Sequence, residues 1–153
     1  MRMSLALTGV LVTLSSVALA HSLSVPFFRD DAPPLGGMTP STGSAGIISV
    51  YNTRDEVVTM HVVYSQRDSD GDSVVQQSSP FELQPHQGVS WRPIQDDPAE
   101  NLGRGVPNVI LGLGAEGSAE IIWLSADGGP GTLVGRYAEL SSSGAFAHVL
   151  FEK

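Results

Sequence analysis

The feature that most constrains this chain is the period-two alternation in residues 46–67, GIISVYNTRDEVVTMHVVYSQR. Val58, Met60, Val62 and Tyr64 fall on one side of an extended chain, and Thr59, His61 and Ser65 on the other. Asn52-Thr53-Arg54-Asp55 has the chemistry of a turn, because Asn and Asp tolerate tight backbone angles and bond their own main chain. The segment therefore predicts a half-buried antiparallel hairpin, whose apolar face needs a second layer to cover it.

The same strand-and-turn pattern recurs along the chain. Residues 21–29 form a first predicted strand with Leu23, Val25 and Phe27 on one face, and Pro26 places it at a sheet edge or on a bulge. Residues 30–44, rich in Pro, Gly, Ser and Thr, predict a flexible loop. Further strands are expected over residues 74–84, interrupted by Pro80, and over 89–92, 118–125, 132–140 and 145–152. Residues 109–113 suit a short strand or a crossing loop, and Asp96-Asp97-Pro98-Ala99-Glu100-Asn101 suits one helical turn with Asp at its start. No stretch of helical periodicity competes. The expected fold is an all-β antiparallel sandwich of about eight strands, Ig-like or jelly-roll-like, with minimal helix.

Residues 1–20 have a different character. Arg2 gives a positive start, residues 5–12 an apolar run, and Ala18-Leu19-Ala20 a small-x-small cleavage signal, the signature of a secretory signal peptide. The apolar run is too short and too broken by Thr and Ser for a membrane span. A cut after Ala20 leaves residues 21–153 as one domain, expected to be secreted or periplasmic. The chain has no Cys, so packing and hydrogen bonds alone must hold it, which suits a bacterial exported protein. Losing Arg2 shifts the formal charge from −8 to −9, against nucleic acid and anionic membrane as partners.

Candidate chemistry is sparse. A mature N-terminal His21 would offer amine and imidazole together to copper, as in copper-dependent polysaccharide oxygenases, with His61, His86 and His148 as further candidate ligands. Asp68, Asp70 and Asp72 place carboxylates at alternate positions, as calcium requires, although Gly71 comes early and no closing Glu follows. A strand-joining turn, in which Asp and Gly are the expected residues, is the simpler explanation. Asp96, Asp97 and Glu100 are explained by helix capping. Trp91 and Trp123 have rings that stack on sugars, but each lies in a strand and reads first as core. There is no Gly-x-Ser-x-Gly elbow and no phosphate-binding loop, so no catalytic residue is assigned.

Ile48 to Asn52, the acidic Asp55-Glu56, the alternation of Val58 to Tyr64, Phe81-x-Leu83-x-Pro85, Val89 to Trp91 and Asp97-Pro98 together cover about a third of the chain. In this pattern it resembles the sensory rhodopsin transducer family of bacterial β-sandwich proteins. The resemblance implies a compact sandwich that acts by binding and oligomerises through its sheets. That family carries no catalytic residues, and the signal peptide here departs from it.

The expected function is a secreted, non-catalytic module for protein–protein binding or self-assembly. The alternatives are a sugar- or calcium-binding module and a copper protein built on His21. The strands at the two ends, 21–29 and 145–152, are the candidate assembly elements, because an edge strand can pair with a neighbour's open edge, although pairing within their own chain is the commoner arrangement.

Overall fold

The computed structural model describes residues 19–35, 39–68, 70–95, 115–125 and 132–152. Among these lie nine strands and no helix: β1 (Leu19–Arg29), β2 (Ser44–Asn52), β3 (Val58–Arg67), β4 (Ser73–Gln77), β5 (Phe81–Leu83), β6 (Gly88–Trp91), β7 (Glu116–Ser125), β8 (Leu133–Ser141) and β9 (Gly144–Leu150). They form two antiparallel sheets packed as a sandwich. One sheet has the order β1-β7-β3-β4, with β5 also paired to β3, and the other has the order β6-β2-β8-β9. The segments predicted at 96–101 and 109–113, and residues 1–18 of the expected signal peptide, lie outside the described residues.

The alternation in residues 46–67 places the right residues inside but joins the wrong partners. Val58, Met60, Val62 and Tyr64 are buried as expected. Yet β2 pairs with β6 and β8, while β3 pairs with β4, β5 and β7, so the expected hairpin is instead an arch between the two sheets. Asn52 is the reason. Its side chain is fully buried, and Nδ2 donates to the carbonyls of Glu56 (2.7 Å), Leu83 (3.2 Å) and Gln84 (3.1 Å). Its Oδ1 accepts the Arg54 amide at 3.0 Å. Bound this way, Asn52 turns the chain out of one layer and ties it to β5 in the other.

Residues 74–84 divide at Pro80, where the missing amide hydrogen interrupts the ladder. Before it β4 pairs with the second half of β3, and after it β5 pairs with the first half. Ser78 holds the junction: its amide donates to the Val62 carbonyl, and its Oγ accepts the Val62 amide.

β1 lies at a sheet edge, and its register shifts between Val25 and Phe28, so Pro26 carries a bulge as predicted. The bulge reverses the expected facing: Phe28 is buried and Phe27 is half exposed. β1 begins at Leu19, ahead of the expected cleavage point, with Leu19 opposite Ser125 and Ala20 opposite Leu124. The strand pairs with β7 inside its own chain.

Among the described residues of 30–44, expected as a flexible loop, none before Ser44 lies in a strand, but residues 30–33 are firmly anchored. Asp30 and Arg92 are both buried, and Arg92 donates to Asp30 Oδ1 and to the carbonyls of Ala32 and Pro33. Asp30 Oδ2 accepts the amides of Ile94 and Gln95 at 2.9 and 3.0 Å. Burial raises the Asp30 carboxyl above the usual carboxylate value, against the Gln95 and Ile94 amides and Arg92, which favour the charged form. The pair joins the end of β1 to the end of β6 across the two sheets.

Between the sheets lie Leu23, Val25, Phe28, Ile48, Val50, Ile121, Trp123 and Tyr137, with Trp91 donating to the Tyr64 hydroxyl at 2.7 Å. Gly135 permits a close approach in this region. A Cβ there would sit 2.8 Å from Leu23 Cδ1 and 3.0 Å from Leu150 Cδ1, so β1 and β9 meet over a bare backbone.

Candidate functional site

The residues nominated from sequence are scattered. His21 faces inward at the end of β1, stacks on Trp123 with ring centres 5.7 Å apart, and places Nδ1 2.7 Å from the Glu152 carboxylate. His61 lies opposite Ile122 on the outer face of the same sheet. His86 pairs with Asp55 at 2.7 Å in the turn before β6, and His148 lies against the Tyr137 ring in the other sheet. Among the described residues no three His, Cys, Asp or Glu side chains gather to hold a metal. The structure therefore does not bring the copper candidates together.

Asp68, Asp70 and Asp72 form the β3–β4 turn. Asp68 Oδ1 accepts the amides of Asp70 (3.0 Å) and Asp72 (2.9 Å), and the Asp68 amide donates to the Asp72 carbonyl. That carboxylate closes a turn around its own backbone. Trp91 and Trp123 are each 1% exposed, so both belong to the core, and neither ring is open to a sugar.

The unusual surface is elsewhere. β8 and β9 are joined by a two-residue turn at Ser142 and Ser143, with Ser141 opposite Gly144. β9 reads GAFAHVL, and its first six residues are all exposed. Among the described residues it ends its sheet, with β8 on one side only. The strand carries no Asp, Glu, Lys or Arg and no Pro, the usual devices that keep an open edge from pairing. Its far end is held: Leu150 is buried, and Glu152 bridges to Leu23.

The outer face of the same sheet continues this character. Its rows across β2, β8 and β9 are Ser49–Arg136–Val149, Ile47–Ala138–Ala147 and Ala45–Leu140–Ala145, with Tyr51 beside Val134. Tyr51 is 41% exposed, Val134 48%, Val149 61%, and Phe151, just past β9, 80%. Arg136 is the one charge in these rows. Sandwiches ordinarily turn polar residues outward, so an apolar outer face beside an apolar edge strand departs from the usual pattern. Ala32 and Leu35 pack on the Ala45–Leu140 end of it.

On the inner side of the free edge, Phe146 is 54% exposed and lies 6.3 Å from the Tyr137 ring. Tyr137 is itself fixed: its hydroxyl accepts the Arg29 amide at 3.1 Å and lies 3.4 Å from Glu139 Oε2. Burial raises its ionisation to about 12. A rigid aromatic base therefore supports the two exposed rings of β9.

Sequence reading placed an assembly strand at residues 145–152 but did not find the apolar rows on β2 and β8. Their signal is the outward set Ile47, Tyr51, Val134 and Ala138, which is apolar where alternation predicts polar residues.

No protein-family model matches this chain, and no curated protein matches it. Among solved structures, the crystal structure of Thermotoga maritima 1070 is similar, with a TM-score of 0.47 and 12% identity over 86% of this chain and 92% of that one.

Proposed function

We propose that this chain is a secreted, non-catalytic β-sandwich module that works by protein–protein contact, with the β9 edge accepting a further strand. The observation that carries this reading is the exposure of Gly144–Val149 along an uncharged sheet edge, continuous with an apolar outer face. Strand addition supplies main-chain hydrogen bonds for affinity and uses the alternate side chains for selectivity. The polar groups inside the molecule support the same view. Asn52, Asp30 and Arg92 are fully occupied in holding connections to the sheets. Secretion rests on residues 1–20.

A fluorescent peptide with the β9 sequence, residues 144–151, tests whether the edge takes a strand. Saturable binding by fluorescence anisotropy is expected, with at least a tenfold loss in the Ala147→Pro variant. Binding that stays unsaturated up to about 1 mM, or that is equal in the variant, would overturn the reading.

A further inference from the structure

Resting on that reading, we infer that the strand the β9 edge accepts is β9 of a second copy, paired antiparallel about a two-fold axis at Ala147. The hydrogen-bond parity and the extent of the free edge together fix this register. A two-residue turn makes Ser141 and Gly144 the pair that exchanges both backbone bonds, so the bonded pairs alternate from there. Phe146, His148 and Leu150 then bond to β8, while Ala145, Ala147 and Val149 point their N–H and C=O groups away from it.

Placing Ala147 on the axis sets Ala147 against Ala147 and Ala145 against Val149 of the second copy, each pair exchanging both of its bonds. Centring on Phe146 sets Val149 against Ser143 in the turn, and centring on His148 sets Ala145 against Phe151 beyond the strand, so each lets two of the three outward residues exchange bonds within β9. Centring on Ala145 runs the second strand past the Ser142–Ser143 turn, and centring on Val149 runs it into Glu152 and β1. Only Ala147 uses the whole free edge.

Charge favours the same occupant. Two copies of a chain with a formal charge of −8 repel, and residues 144–151 are a stretch without fixed charge along which they can approach. Side chains agree as well. The row Tyr137–His148 continues into Phe146 and Glu139 of the second copy, so each half-exposed Phe146 is covered by the other copy's His148. On the outer face Ala138–Ala147 meets its own image, leaving small side chains where the strands come closest. The other edges suit pairing less: β1 carries the Pro26 bulge, β6 has four residues and β4 has five. A strand overlap this short buries well under the roughly 1,600 Å² of a standard interface, so association at about 10–100 µM is expected.

The native chain contains no Cys, which makes cross-linking clean. Facing Cα atoms of the central pair would lie about 5.5 Å apart. Ala147→Cys should therefore join to itself through a thiol-specific linker of about 8 Å. The two copies of Ala145 would lie about 14 Å apart, from four residues at ~3.4 Å, so Ala145→Cys should cross-link at least tenfold less. The full chain should sediment as a dimer at about 1 mM, and Ala147→Pro, which removes only an outward N–H, should remain monomeric with an unchanged circular dichroism spectrum. A dimer whose cross-linking at 147 is no better than at 145 overturns the two-fold pairing. A native chain that is monomeric at 1 mM overturns the second copy as occupant, whether or not the β9 peptide binds.

Discussion

Replacing Asp30 by Ala should bring this protein close to unfolding at room temperature. Asp30 and Arg92 both have side chains at 0% exposure, and the nearest acceptors left to Arg92 would be the carbonyls of Ala32 and Pro33. A buried charge that loses its partner costs about 3–5 kcal/mol. The amides of Ile94 and Gln95 lose their acceptor in the same step, each worth about 1–3 kcal/mol where no water reaches it. These losses overlap, so about 4–5 kcal/mol is expected, against a typical total of about 5–15 kcal/mol for a domain. Urea titration followed by Trp fluorescence reads the difference directly. Adding Arg92→Met removes the stranded charge, and burial already works against the Asp30 carboxylate, so the double variant should recover at least half of the loss. A loss below about 1 kcal/mol for Asp30→Ala, or a double variant less stable than the single, would refute the role of this pair as a clamp between the sheets.

Other expectations follow from the same structure. Asn52→Ala takes the side-chain partner from the Glu56 and Leu83 carbonyls and the Arg54 amide, while the Gln84 carbonyl keeps the Gln87 amide, and should lower stability by about 2–4 kcal/mol in a thermal melt. Burial holds Tyr137 neutral up to about 12 and raises Tyr64 further, whereas an unfolded Tyr ionises near 10. Their contribution is therefore full below pH 10 and lost as pH rises towards 12, which urea midpoints at pH 8, 10 and 11.5 would record as a falling series. Because Asp68 already serves the Asp70 and Asp72 amides, millimolar calcium should raise Tm no more than sodium chloride of equal ionic strength.

Much of the sandwich was legible in the sequence, because alternation reports burial whatever the partner strand. Val58 to Tyr64 faced inward as read, and Pro26 marked an edge strand with a bulge. What alternation does not carry is the identity of the neighbour. Asn52 and Asp55 suit a hairpin turn and an arch equally, and the choice depends on carbonyls of Leu83 and Gln84, about thirty residues away. The Asp30–Arg92 clamp was hidden for a related reason. Its partners lie 62 residues apart, and each alone looks like an ordinary surface residue beside a turn. The proposed contact surface was half legible. An apolar strand at residues 145–152 was visible, but its place at the end of a sheet, where its groups stay open, is a property of topology.

The most direct test is amide exchange along β9, followed residue by residue by NMR as protein concentration rises. Ala145, Ala147 and Val149, whose N–H groups point away from β8, should exchange freely in dilute solution and slow markedly towards about 1 mM. Phe146 and His148, already bonded to β8, should change little. That alternating pattern would place a strand on the open edge. Uniform protection along β9, or exchange at Ala147 that is indifferent to concentration, would contradict it.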